Sequence, residues 1–259
     1  MSFDWPFFWH YLLEPSSLYV NGLVLTVALS VVSQLIGTAL GLAAALARIS
    51  RFRAVQAAAR FYIWVMRGTP LLVQIVFIYT GLAAANLVRF HDVDVGLFVI
   101  AGNVQAGILA LSLNEGAYMA EIIRAGIASV DHGQSEAASS LGMTQPLLMR
   151  RIILPQAIRL IIPPLGNQFN IMLKNSTLVS IIGVPELLLV TETINSATFR
   201  TFELYTVVGL YFLTLTTLWG FAQRRIEIRY SAPSRDGTDT TVSGPRRFAF
   251  RNLLNAATR

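Results

Sequence analysis

Long apolar runs alternate along the chain with short charged intervals, a pattern that predicts membrane-spanning helices and not the core of a soluble domain. A hydrocarbon core about 30 Å thick needs roughly 20 apolar residues per helix. Five stretches approach that length: about Tyr19 to Ala45, Phe61 to Ala85, Leu97 to Ile123, Leu160 to Ile182 and Leu204 to Ala222. Basic residues gather at alternate ends of these runs. Arg48, Arg51, Arg53 and Arg60 follow the first, Arg124, Arg150, Arg151 and Arg159 lie between the third and fourth, and Arg224, Arg225 and Arg229 follow the fifth. The other intervals hold Asp92, Asp94, Glu186 and Glu192 with no basic excess. Cytoplasmic loops carry the surplus of Lys and Arg, so the expected fold is an all-α integral membrane protein of about five helices. Its N-terminus should lie outside and its C-terminus in the cytoplasm.

Composition narrows the class. Of 259 residues, 54% are hydrophobic and 13% charged, too apolar for a soluble domain of this length. The absence of cysteine excludes disulfides, thiolate metal sites and cysteine nucleophiles. A net charge of +6 could suggest nucleic acid, but its placement at the cytoplasmic loops assigns it to topology, and no nucleic-acid partner is expected. Residues 1–18, with Trp5, Phe7, Phe8, Trp9 and Tyr11, read as an external segment at the bilayer interface. Residues 19–224 form the transmembrane domain. No basic stretch precedes the first apolar run, so it is expected to be retained and not cleaved as a signal. Beyond Tyr230 the composition turns to Ser, Pro, Gly, Asp and Thr, and residues 225–259 read as a flexible cytoplasmic tail. There is no internal repeat of the kind that builds inverted-repeat carriers.

The cytoplasmic connection 127–155 is longer than the other loops and has helical composition. Asp131 to Gln134 predicts a turn, Ser135 to Leu141 a short helix with Glu136 in its first turn, and Gly142 the positive φ that ends it. Gln145 to Ile153 predicts a second short helix before Pro155. On these residues alone the segment could equally be an amphipathic loop resting on headgroups. Its wording goes further. Gly133-Gln134-Ser135-Glu136-Ala137-Ala138-Ser139-Ser140-Leu141-Gly142, followed by Ile152-Ile153-Leu154-Pro155, closely resembles the EAA signature of permease subunits in ATP-binding-cassette (ABC) importers. Three further motifs resemble the branch that carries polar amino acids of the histidine, glutamine, glutamate, arginine and opine group. They are Arg67-Gly68-Thr69-Pro70-Leu71-Leu72-Val73-Gln74, Gly116-Ala117-Tyr118-Met119-Ala120-Glu121-Ile122-Ile123-Arg124, and Leu173-Lys174-Asn175-Ser176-Thr177-Leu178. The last departs at Asn175 to Thr177 from the family's Lys-Asp-Thr-Ser-Leu.

The resemblance implies a MetI-like permease fold. It also implies an ATPase dimer docked on Gly133, Glu136, Ala137, Ala138, Gly142 and Pro155, a second permease copy, identical or similar, and an external solute-binding protein. ATP and Mg would sit on the partner ATPase and no cofactor in this chain. The sequence agrees in having no Gly-x-x-x-x-Gly-Lys-Ser/Thr phosphate loop; its one lysine is Lys174. No nucleophile elbow or His-Glu-x-x-His helix supports an enzyme.

Ionisable groups at membrane depth cost about 2.5–3.5 kcal/mol each on insertion scales and are functional candidates by default. Lys174 and Glu121 could meet the two charged ends of an amino acid, with Asn114, Tyr118, Gln168 and Asn175 as polar neighbours. The alternative is that Lys174 pairs with a third-span glutamate only to hold helices together. The neutral amide at Asn175 leans against arginine or lysine as substrate. Arg67, Gly68, Thr69 and Pro70 suit a gate or hinge, with Arg67 as an interfacial anchor the plainer reading, and Pro163-Pro164 predicts another bend. Two rival functions remain at this stage: a non-transporting scaffold or sensor of the same architecture, and a proton-coupled carrier using Glu115 or Glu121.

Overall fold

The computed structural model describes residues 3–96 and 99–230. Helix α1 (Trp5–Leu13) starts where the Asp4 carboxylate accepts the Phe7 N–H at 3.1 Å. The segment expected to lie outside is therefore helical over Trp5–Leu13. It is clasped to the far end of the chain: the Asp4 N–H donates to Glu203 Oε1 at 2.8 Å, and Arg200 pairs with Asp4 at 3.1 Å. Its Phe8 packs with Tyr19, Leu187 and Val207 in a cluster at that end of the bundle.

Helix α2 (Ser17–Arg48) is long enough, at 32 residues, to span with a turn or two to spare. Helices α3 (Arg53–Gly68) and α4 (Leu71–Ala84) then meet at an angle of 110°. The single second span expected from Phe61 to Ala85 is thus broken in two. Pro70 has no N–H to continue the α3 ladder, and α4 itself loosens into a π-helical turn over Phe77–Gly81. A short antiparallel pair, β1 (Val93–Asp94) and β2 (Val99–Ile100), closes the following loop. Leu97, where the third span was expected to begin, lies outside the described residues.

Helix α5 (Gly102–Ala128) is the centre of the bundle. It buries Asn114, Glu115 and a row of small residues that includes Gly107, Ala110, Gly116 and Ala120. Gly37 and Gly41 of α2, spaced as Gly-x-x-x-Gly, let the two backbones close up. A Cβ on Gly41 would stand 2.3 Å from the Met119 Cβ and 2.9 Å from the Gly116 carbonyl oxygen. Small residues at four-residue spacing serve helix association in lipid because close backbones gain dispersion contacts.

Helix α6 (His132–Ser140) leads to α7 (Gln145–Ile182), which after one α-helical turn passes through a π-helical turn over Met149–Ile153 and tightens to a 3-10 helix over Ser176–Ile182. α7 stays helical through Pro163 and Pro164, where a bend was predicted. Its direction changes later, by 52° into α8 (Leu187–Thr198), after Gly183 takes a φ of +78°. The Glu186 carboxylate starts α8 by accepting the Leu188 and Leu189 N–H groups, each at 2.9 Å. Helix α9 (Thr201–Tyr230) completes the bundle and continues past the expected end of the span, so residues 225–230 of the predicted tail are helical. The remainder of that tail lies outside the described residues.

Among the described residues two helices, α2 and α9, are long and apolar enough to cross a membrane alone, and counting each of the bent pairs α3–α4 and α7–α8 as one span raises the number to four. α5, read from the sequence as the third span, does not meet that criterion. Its amides and carboxylates lower its apolarity, and its neighbours bury them.

Candidate coupling and translocation site

The connection between α5 and α7 folds as a small module with its own core. The Asp131 carboxylate accepts the Gly133 N–H at 3.0 Å, so α6 begins at His132, earlier than the predicted Ser135. The turn expected over Asp131 to Gln134 is instead the capped first turn of the helix. At its other end Gly142 adopts a φ of +78°, which brings its N–H to Ser139 O at 2.9 Å and the Met143 N–H to Ala138 O at 3.1 Å. Ala138 is buried among Val130, Leu148, Ile153 and Ala157. The opposite side is free: Glu136 and Ala137 are exposed, and Leu141 keeps 83% of its surface accessible. Pro155 is exposed where α7 returns from its π-helical turn to α-helix. An apolar tether beneath and an uncovered apolar tip above are what a docking knob requires.

A second site surrounds the break between α3 and α4. In an uninterrupted helix the Met66 carbonyl would accept from residue 70, but Pro70 has nothing to donate. Two side-chain amides replace it. Gln74 Nε2 reaches Met66 O at 2.9 Å and Asn114 Nδ2 reaches it at 3.1 Å. Asn114 Nδ2 also donates to Gln74 Oε1 at 3.0 Å, while Gln74 Nε2 lies 2.8 Å from Thr69 Oγ1 and 3.1 Å from Thr69 O. Asn114 therefore braces the break from α5. Gly68 does not make room there, since a Cβ on it would meet nothing within 4 Å. Arg67 stacks its guanidinium over the Tyr118 ring, 5.4 Å from the centroid.

Deeper in the bundle Glu115, 2% exposed, accepts from Gln34 at 3.0 Å on one carboxylate oxygen and from Gln168 at 3.1 Å on the other. One carboxylate thus ties α2, α5 and α7. Glu121 lies nearer the end of α5, where Arg48 takes one oxygen and Arg124 the other, the latter at 2.9 Å. Lys174 is exposed and has no ion pair among the described residues. Lys174 does not pair with a glutamate of α5, and the two charges suggested for the ends of an amino acid stand at different levels, Glu121 between Ile161 and Gln168 and Lys174 between Gln168 and Val179. Asn175 is half-buried at the end of the α-helical part of α7.

Gln34, Gln74 and Arg48 carry parts of these arrangements that sequence reasoning missed. Each had a signal: Gln34 is an isolated amide within an apolar run, Gln74 stands four residues after a helix-breaking proline, and Arg48 is the first basic residue at the end of a span.

The family described as "Binding-protein-dependent transport system inner membrane component" matches residues 37–232. The glutamine transport system permease protein GlnP of Escherichia coli (strain K12) is 35% identical over 229 residues, covering 88% of this chain and 98% of that protein. The octopine transport system permease protein OccM of Rhizobium radiobacter is 38% identical over 217 residues, 83% of this chain and 85% of that one. Among solved structures, a chain from the "Crystal structure of an amino acid ABC transporter with histidines" superposes with a TM-score of 0.78 at 40% identity, over 88% of this chain and all of that one.

Proposed function

The chain belongs to the family of binding-protein-dependent transport system inner membrane components, and on that premise we propose that it takes polar amino acids through the inner membrane by way of a gate at the α3–α4 break. It is an integral inner-membrane permease subunit of an ATP-driven amino-acid importer, whose hydrolytic subunit is a separate protein. The transport reading stands over a scaffold or a proton-coupled carrier for the same reason.

The finer reading has five spans, formed by α2, α4, α5, α7 with α8, and α9, with the N-terminus outside and the C-terminus in the cytoplasm. The unit would be two permease copies, or this chain with a similar one, on an ATPase dimer that binds ATP and Mg, with an external solute-binding protein delivering the substrate. The ATPase would grip the exposed side of α6 through Glu136 and Ala137, with Gly133, Ala138, Gly142 and Pro155 holding its shape. Movement of that knob enters α5 directly, only Ser129 to Asp131 separating the two helices. α5 carries Asn114, which ends at the gate of Arg67, Gly68, Thr69 and Pro70. Tyr118, Glu121, Lys174 and Asn175 would border the path, while Asn114 and Gln168, both committed to internal bonds, position it.

The observation that carries this reading is the α6 knob, with Ala138 locked into a core beneath and Leu141 uncovered at the tip. Reconstitution with the partner ATPase and binding protein tests it through ATP-dependent uptake of amino acids by wild type and Gly142→Pro. Proline cannot adopt a positive φ and would also lose the N–H bonded to Ser139. Uptake should fall at least tenfold while the complex still assembles; uptake at the wild-type rate would sink the coupling role.

A further inference from the structure

Helix α3 has a basic side of which the proposed gate uses only Arg67. Arg53, Gln56, Arg60 and Arg67 fall within one narrow stripe at helical spacing, with Trp64 beside them, while Ala59 and Ile63 are buried on the side toward the bundle. A 110° turn separates α3 from α4. If α4 runs across the bilayer, α3 lies close to the membrane plane. This placement rests on the topology proposed above, which puts α3 at the cytoplasmic face. Phe61 and Trp64 are 63% and 71% exposed there, with ring centroids 5.9 Å apart, as aromatic residues at a headgroup boundary are.

Beside this stripe a cleft of about 420 Å³ opens between α2, α3 and α5, lined by Arg48, Arg60, Ile63, Trp64, Arg67, Gly68 and Glu121. Arg124 reaches Glu121 from the rim. Four guanidiniums against one carboxylate leave three positive charges around the opening. Both oxygens of Glu121 are already taken, by Arg48 and Arg124. Arg60 bonds only the neutral amide of Gln56, at 2.8 Å, and Arg67 stacks on Tyr118. Neither has an ion pair among the described residues. An anion with several acceptor oxygens is the chemistry that completes such a fork of donors.

We propose that this cleft seats the phosphodiester of an anionic phospholipid from the cytoplasmic leaflet. The source is lipid and not a soluble phosphate, because the opening is flanked by exposed Phe61 and Trp64, which stand where acyl chains meet headgroups. Basic pockets between transmembrane helices on the cytoplasmic side take such headgroups. The occupant would join α2, α3 and α5 next to the gate residues Arg67 and Gly68.

Trp64 supplies the reporter. The complete permease–ATPase complex is placed in phosphatidylcholine nanodiscs that contain either brominated phosphatidylglycerol or brominated phosphatidylcholine, and the Trp64 signal is isolated by subtracting the Trp64→Phe complex. Half-maximal quenching by the glycerol lipid should need roughly a tenth of the mole fraction that the choline lipid needs. Arg60→Gln should erode the preference roughly fivefold, the effect expected of one basic residue near an anionic surface, and Arg60→Lys should retain most of it. Equal quenching by both lipids would overturn the headgroup site while leaving the topology intact. No quenching by either would take α3 off the bilayer, and both the site and that part of the topology would fall. Loss of the preference on adding inorganic phosphate would assign the cleft to a soluble anion and likewise overturn the lipid assignment.

Discussion

Replacing Asn114 by alanine should loosen the α3–α4 break without unfolding the protein. The side-chain amide makes two bonds, to Met66 O at 3.1 Å and to Gln74 Oε1 at 3.0 Å. Their loss is unequal in consequence. Met66 O keeps the Gln74 Nε2 donor at 2.9 Å, whereas Gln74 Oε1 loses the partner it has in the structure. Hydrogen bonds between membrane helices average about 0.6 kcal/mol with a maximum near 1.7, and an orphaned buried acceptor costs about 1–3 kcal/mol. A value of about 1 kcal/mol for the brace corresponds to roughly a fivefold shift in the equilibrium between closed and open break. The native chain has no cysteine, and a Cβ at Gly68 meets nothing within 4 Å, so Gly68→Cys is a clean reporter. With a cysteine-free ATPase partner, thiol labelling at that position should accelerate about fivefold in Asn114→Ala. Gln74→Ala should act alike, and the double variant should exceed either single one by less than twofold, because the two amides form one unit. A labelling rate unchanged by Asn114→Ala, or effects of the two substitutions that multiply, would refute the brace.

Other outcomes follow from the same geometry. Gly41→Leu sets a side chain against the Met119 Cβ and the α5 backbone, so it should prevent a folded complex from being recovered in detergent, whereas Gly68→Ala should melt within a degree or two of wild type. Ala138→Leu overfills the core under α6; uptake should fall at least tenfold while basal ATP hydrolysis of the assembled complex persists, and coupled transport at the wild-type rate would contradict the tether. Glu115→Gln should be tolerated or mildly stabilising in thermal melts. The new amide can donate to Gln34 Oε1, which has no partner, and a buried charge is removed; Glu115→Leu should cost about 1–3 kcal/mol by stranding both glutamine amides.

The α6 module was the most legible part of the site, and the reason is local. Its start and stop depend on Asp131 and Gly142, residues whose effect on the backbone needs no distant partner. Even so, the Asp131 cap moved the start of the helix three residues earlier, because a carboxylate two positions before Gly133 satisfies an N–H that a simple turn would leave open. The α3–α4 break was legible as an event at Pro70 but not as a geometry. Its 110° angle is held by Gln74 and by Asn114, forty residues further on.

Hydropathy locates a span, but neither its level against a neighbouring span nor the side on which each residue faces can be read from it. Gly126 packs on Ile161, Glu115 bonds Gln168 and Gly107 packs on Val179, so Glu121, held by Arg48, stands level with α7 between Ile161 and Gln168, while the exposed Lys174 lies beyond Gln168. The same limit explains α5. Hydropathy averages a helix over all its sides, so a segment carrying Asn114, Glu115 and Glu121 scores poorly even though its polar groups meet Gln74, Gln34, Gln168 and Arg48 and not lipid. A span surrounded by other spans is free to be polar, provided each group finds a partner there. The long central helix that falls short of a lone span's apolarity is therefore the one placed best to join the α6 module, the α3–α4 break and the bundle core, since its polar side chains supply the bonds through which a displacement at α6 would reach Pro70.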